Sequence, residues 1–301
     1  MYEIGTLAQV IHVVDDLDGA DRWYRRFFDA ERFYHGYSPF EKRDASLIAF
    51  DDFVIEPMTP AKEEGAELFP VGRFHKRFDS HLHSIALNVK GVPELYEHLR
   101  SHGVRAVGPG GTDAADIAEN PTPSIYTHPK DTHCLLELVD FGPDGHPDSP
   151  RTRPEWSEAR WRDHPLGLEG TSHITVVVRD VDEATGFFHG VLGCEVVHED
   201  PSTPAGTVSR FLLLGTETLV ELAQPLRSDT RAAADLAANG EIVHAVTFSV
   251  RDLDQAAAYV ADQAIGVVEH GDETLVLDPT DTFGAVVALT TWRLPNDPRT
   301  A

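Results

Sequence analysis

The sequence predicts an α+β fold built from four βαβββ modules, and three observations lead there. Short apolar strands open at Ala8–Val14, Ser84–Val89, Thr171–Val178 and Ala245–Val250. A turn of the Asp16-Leu17-Asp18 kind and an amphipathic helix follow, and further strands end in Val54-Ile55-Glu56, Leu135-Leu136-Glu137, Leu219-Val220-Glu221 and Val286-Val287-Ala288. A unit of this kind has a sheet face that it cannot bury alone, so the four modules must pair.

The elements follow in order. In module one, Gln9–Val14 leads to Asp15-Asp16-Leu17-Asp18, where Asp16 or Asp18 can cap a helix carrying Trp23, Tyr24, Phe27 and Phe28 as one apolar stripe. Phe33-Tyr34, Leu47–Phe50 and Phe53–Glu56 read as three strands between Gly, Pro and Asp turn signals. Module two repeats the order with Ile85–Val89, a helix from Pro93 to His102 with proline in its first turn, then Val104–Val107, Ser124–Thr127 and Cys134–Val139. A segment from Gly142 to Glu169, rich in Pro, Asp, Arg and Gly, reads as a domain linker, and Trp156 and Trp161 should hold it on a domain surface through a short helix. Module three runs His173–Val178, helix Val181–Leu192, Cys194–His198, Ser209–Leu214 and Thr218–Leu222. Module four runs His244–Val250, helix Leu253–Gln263, Gly266–Glu269, Thr274–Leu277 and Ala285–Thr290. The expected domains are 1–141 and 170–293, joined by 142–169.

Composition bounds the function. In 301 residues, 41% are hydrophobic and 25% charged, enough to bury two cores. The net charge of −25 argues against a nucleic-acid surface, which needs Lys and Arg to displace phosphate counterions. No apolar run is long enough to cross a bilayer, and the N-terminus lacks a cationic leader, so the expected setting is cytoplasmic with no membrane partner. Cys134 and Cys194 lie in different modules and are expected as buried free thiols. Arg73-Phe74-His75-Lys76-Arg77 is the one basic cluster, a solvated loop or a contact for an anionic substrate. The run Gly108-Pro109-Gly110-Gly111 reads as a turn rather than a phosphate loop.

The segment from His173-Ile174-Thr175-Val176 through Asp180-Val181-Asp182 and Phe187-Phe188 to Leu192-Gly193 resembles the module opening of the vicinal oxygen chelate superfamily. That superfamily includes glyoxalases, methylmalonyl-CoA epimerases, extradiol dioxygenases and bleomycin resistance proteins. His128-Pro129-Lys130-Asp131-Thr132-His133 before Leu135-Leu136-Glu137-Leu138 is similar to the end of an epimerase module, and Asp278–Gly284 is a diverged copy.

The resemblance implies paired modules that curve into two cup-shaped, barrel-like domains, with a divalent metal on the inner face. Each module would give one ligand from its first strand, seven residues before the turn aspartate, and one carboxylate from its last. Zinc, nickel, cobalt, manganese or iron(II) suits such donors and leaves positions open for a chelating substrate.

On that pattern the modules present Gln9 and Glu56, Ser84 and Glu137, His173 and Glu221, and Ala245 and Ala288. The expected metal ligands are His173, Glu221, Glu137, Gln9 and Glu56, with Glu137 and Glu56 as catalytic carboxylates. Three pairings stay open. Sequential pairing joins Gln9, Glu56, Ser84 and Glu137; nested pairing joins Ser84, Glu137, His173 and Glu221; first-with-third pairing joins Gln9, Glu56, His173 and Glu221.

Strand alternation turns His83, His244 and His12 away from the cup unless a bulge intervenes. His98 and His102 lie four apart on a helix and are expected to face solvent. His81 and His133 are placed at a cup rim, within reach of substrate.

The implied function is metal-dependent isomerase, epimerase or lyase chemistry on a small oxygen-rich metabolite, through a stabilised enolate. The alternatives are an extradiol-type dioxygenase, and a metal-free binding or resistance protein whose cup holds an apolar ligand against Trp23, Tyr24, Phe50 or Tyr126. The expected partners are a small-molecule substrate and a second copy of the chain in a homodimer.

Overall fold

A computed structural model describes residues 1–113, 123–142 and 145–300; positions 143 and 144 of the expected linker lie outside them. Module one comprises β1 (Glu3–Val13), α1 (Leu17–Phe27), β2 (Glu31–Ser38), β3 (Arg43–Phe50) and β4 (Phe53–Pro60). Asp16 caps α1 by accepting from the Gly19 backbone N–H, as its place before the apolar stripe predicts. A helix absent from the sequence expectation, α2 (Pro70–Phe78), then carries the basic cluster. Module two comprises β5 (His81–Lys90), α3 (Val92–Ser101), β6 (Ala106–Val107), β7 (Ser124–Thr127), the one-turn α4 (Pro129–Thr132) and β8 (Leu135–Val139).

The connecting segment contains the short helix α5 (Ala159–Arg162) and is docked through its two indoles. Trp161 Nε1 donates to the Phe28 carbonyl at 2.8 Å, and Trp156 Nε1 to that of Asp51 at 3.0 Å. Module three comprises β9 (Leu168–Val177), α6 (Val181–Gly190), β10 (Glu195–Asp200), β11 (Thr207–Leu214) and β12 (Thr218–Pro225). After α7 (Arg231–Asn239), module four comprises β13 (Ile242–Val250), α8 (Leu253–Asp262), β14 (Val267–His270), β15 (Thr274–Leu277) and β16 (Val286–Thr290). Asp180 and Asp252 cap α6 and α8 as Asp16 caps α1.

Hydrogen bonding settles the pairing as sequential. One eight-stranded sheet has the order β2-β3-β4-β1-β5-β8-β7-β6, and the other β10-β11-β12-β9-β13-β16-β15-β14. In each, the first strands of two successive modules meet antiparallel at the centre, while each module's last strand runs parallel to its first. The result is an α+β chain of two cup-shaped halves.

The outer faces and their helices share one core. Phe248 of β13 lies with its ring 5.2, 5.4 and 5.1 Å from those of Phe28, Phe50 and Phe53, so the two halves stand back to back on an aromatic cluster. Trp23, Tyr24 and Phe50, expected inside a cup, belong to this outer core instead, because α1 packs on the convex face. Close approach also ties the halves together. Gly215, at φ +70°, brings Thr216 N–H to the Gly5 carbonyl at 3.1 Å, where a Cβ would lie 2.0 Å from that oxygen. Among the described residues no helix is long and apolar enough to cross a membrane. Both cysteines are buried and free.

Candidate functional site

The concave side of the first sheet encloses a cavity of about 590 Å³. Alternation along the strands supplies its floor: Ile11 from β1, Arg43 from β3, Glu56 and Met58 from β4, Ser84 from β5 and Glu137 from β8. Tyr126 of β7 forms a wall, α2 closes one side with Val71 and Arg73, and Gly108, Gly110 and Gly111 contribute the turn expected of them. Arg73 and Arg105 stand at the exposed rim, the second bound to Asp131 by two hydrogen bonds of 2.7 and 2.6 Å.

Three carboxylates face this space with unequal support. Glu56 is held on both oxygens: Arg43 Nη1 donates to Oε1 at 3.1 Å and Gln9 Nε2 to Oε2 at 3.4 Å. Arg43 Nε also donates to Glu41 Oε2 at 2.7 Å. Glu137 accepts from the Tyr126 hydroxyl at 3.0 Å and forms no ion pair among the described residues, although the Arg43 charge acts on it from a distance. Burial therefore pushes its carboxyl up to about 8, and the nearby Glu56 charge adds to the rise. Burial also raises Glu56, while the Arg43 guanidinium pulls it back. Glu56, paired with Arg43, is the member better placed to carry the charge, and Glu137 the one better placed to hold a proton.

His83 lines the cavity, contrary to plain strand alternation. Ile11 pairs with Ser84 and His12 with Leu82, so His83 is the extra residue of a bulge and turns inward. Its Nδ1 lies 2.8 Å from Ser84 Oγ and its ring meets Phe74 of α2 edge-on at 4.5 Å. Burial lowers it to about 4, so the ring is neutral.

The second cup carries His173 and Glu221, with His173 Nε2 3.5 Å from Glu221 Oε2. Glu221 also accepts from Thr175 at 2.6 Å and from Ser209 at 2.7 Å. Against the cost of burial, His173 and these hydroxyls hold its carboxyl down at about 2. Trp292 and Leu294, from the chain after β16, pack on Phe211 and Leu219 inside this cup.

The five candidate metal ligands are thus divided between the two cups. Gln9, Glu56 and Glu137 share the first cup; His173 and Glu221 stand in the second with Ala245 and Ala288. The first-with-third and nested sets are not assembled, because the sheets pair sequentially.

Neither cup fits a resident divalent ion. In the first, a guanidinium already bonds the Glu56 oxygen that would ligate one, and no imidazole stands among the family-position donors. In the second, only His173 and Glu221 are donors, because Ala245 and Ala288 of module four supply none. Among the described residues no group of three or more His, Cys, Asp or Glu side chains is arranged to hold a metal.

Of the other histidines that the sequence singles out, His81, His133, His244, His12 and His98 bond within the protein. His81 and His133 do not line the cavity: His81 reaches Asp235 of α7 at 3.2 Å, and His133 reaches Glu241 at 3.0 Å, both across to the second half. His244, also in a bulge, is bound to Asp235 at 2.5 Å. His12 faces away from the cup, between Tyr24 and the Phe283 carbonyl. His98 bonds the Val191 carbonyl instead of facing solvent. Sequence reasoning missed Arg43 and Glu41, which no motif marks.

Comparison with known proteins adds relatives. A family profile described as Glyoxalase/Bleomycin resistance protein/Dioxygenase superfamily matches residues 172–276. The mitochondrial methylmalonyl-CoA epimerase of Bos taurus is 31% identical over 126 residues, covering 39% of this chain and 71% of that protein. Its Homo sapiens counterpart is 28% identical with the same coverage. A solved 4-hydroxymandelate synthase variant from Streptomyces coelicolor aligns over 95% of this chain and 92% of its own, with TM-score 0.66 at 9% identity, a likeness of fold alone.

Proposed function

We propose, for a chain that belongs to the glyoxalase/bleomycin resistance/dioxygenase superfamily, that the first cup is the working site of an isomerase- or epimerase-type enzyme. It moves a proton at a carbon beside a carbonyl group of a small oxygen-rich metabolite. The observation that carries this reading is Glu137: a buried carboxyl that forms no ion pair among the described residues, lines an open cavity and is oriented by Tyr126.

A general base works best when its pKa lies near the working pH, and a carboxyl raised to about 8 is a far stronger base than an ordinary glutamate. The ionised form of Glu137 takes the proton from carbon, and the electron pair of the broken bond moves onto the carbonyl oxygen. Returned by the same carboxyl to the neighbouring carbon of an enediolate, that proton completes an isomerisation, whereas an epimerisation needs a proton delivered to the opposite face of the enolate. Glu56, held beside Arg43, raises Glu137 further through its charge. Apolar walls from Ile11, Met58 and Leu135 exclude water from the enolate. Rim arginine Arg73 suits a substrate with an anionic outer part.

The test is solvent deuterium exchange followed by proton NMR, with methylmalonyl-CoA (the compound named in its relatives), hydroxyacetone and pyruvate as substrates. Deuterium should enter the carbon beside the carbonyl of at least one, and the rate should climb between pH 6 and 8 as Glu137 ionises. No exchange with any substrate, or equal exchange by Glu137→Gln, would contradict the reading.

A further inference from the structure

We infer that Arg43 takes the place of the metal ion in the first cup, so that the site works without a divalent cation and meets the substrate oxygen with guanidinium N–H groups. The inference rests on the proton-transfer reading for its chemistry, but its geometry stands independently. Glu56 lies on the last strand of its module with Gln9 beside it, the two positions at which the superfamily resemblance places ligands. The positive charge found against Glu56 belongs to Arg43, bound at 3.1 Å and held also by Glu41, another cavity-lining carboxylate, at 2.7 Å.

A guanidinium has five N–H donors. Two bond these carboxylates, and the Nη2 amino group has no hydrogen-bond partner among the described residues, although Arg43 lines the cavity. Its side chain keeps only 17% of its surface exposed, so the free N–H groups sit in a partly dry place where they strengthen any bond to a charged oxygen. A divalent ion placed on the same Glu56 oxygen would stand against a fixed like charge.

The second cup supplies the contrast. Strand pairing puts Thr207 of β11 opposite Pro225, as Arg43 of β3 is opposite Pro60. At that matching place the second cup has a hydroxyl and no cation. When Glu137 removes the proton, the electron pair that moves onto the carbonyl oxygen is met by Arg43, with no bond formed to the guanidinium and no co-reactant needed.

The test uses the full chain freed of metal with a chelator. Deuterium exchange on the substrates above should be unchanged by the chelator. Arg43→Ala should lose about 100-fold, the scale of a removed oxyanion donor. Guanidinium chloride, well below unfolding concentrations, should restore part of that loss, while an equal concentration of sodium chloride should not. Loss of exchange in chelator that manganese, zinc, nickel or cobalt repairs would overturn the inference while leaving Glu137 as the base, since Glu137→Gln would still be inactive.

Titration with cobalt(II) alone decides the matter if Arg43→Ala does not fold or if no substrate exchanges. The wild-type protein should give no cobalt absorption band that Glu56→Gln removes. Such a band would overturn the inference.

Discussion

The two cups have matching frames and different electrostatics. Glu56 is paired by register with Ile11 in the first sheet, and Glu221 with Thr175 in the second. In the first cup Arg43 and Gln9 hold the glutamate, and a second carboxyl, Glu137, is left beside it. In the second, Thr175, Ser209 and His173 hold it and Ala288 removes the second carboxyl. The helices repeat the contrast, with Phe74 of α2 against His83 and Asp235 of α7 against His244. A carboxylate held by hydroxyls and an imidazole, like Glu221, suits a scaffold, whereas a carboxyl that lines an open cavity with one hydroxyl as its hydrogen-bond partner, like Glu137, can do chemistry.

The sharpest way to break that contrast is Glu137→Gln, which should cut deuterium exchange by about 10²- to 10⁴-fold, the usual weight of a general base. Exchange that survives there and vanishes in Glu221→Gln would move the site to the second cup.

Next in size is Phe248→Ala, which removes the ring that joins the outer cores and should cost about 3–5 kcal/mol. Thermal melting should show a single lowered transition, because both cups rest on the same cluster. Two separated transitions would mean that the halves are independent.

Smaller effects belong to the hydroxyls. Ser209→Ala should cost about 1–3 kcal/mol by leaving Glu221 Oε1 unpaired, and Thr175→Val less because His173 still faces Oε2, neither changing exchange in the first cup. Chemical denaturation and the exchange assay check the two halves of that statement.

The pH dependence of stability should be the mildest signature. Glu137 is raised in the folded state, so its contribution is fully present below the ordinary glutamate range and is lost as pH rises toward about 8. Glu221 is lowered, so its contribution holds above the ordinary range and is lost as pH falls toward about 2. Denaturation midpoints across pH should lose the alkaline slope in Glu137→Gln and the acid slope in Glu221→Gln.

Much of the frame was legible because its signals are local. Asp16, Asp180 and Asp252 announce helix starts by hydrogen bonds within three residues, and the apolar strand openings repeat in every module. The pairing of modules was not legible, since contacts such as Gln9 with Ala86 join residues far apart in sequence. His83 was misplaced because a single extra residue in β5 reverses which face a side chain takes, and nothing in His81-Leu82-His83-Ser84 announces it. Arg43 was invisible because its meaning comes from Glu56 and Glu41 meeting it in space. Helix α2 escapes the sequence pattern because its apolar residues Val71, Phe74 and Phe78 are interleaved with the basic cluster.

The most direct measurement is a carbon-13 NMR titration of the glutamate carboxyls in the full chain. The account predicts one carboxyl titrating near pH 8 that disappears in Glu137→Gln, and another still ionised well below pH 4 that disappears in Glu221→Gln. If both carboxyls titrate together in the ordinary glutamate range, the two cups are electrostatically alike and the assignment of chemistry to the first is wrong.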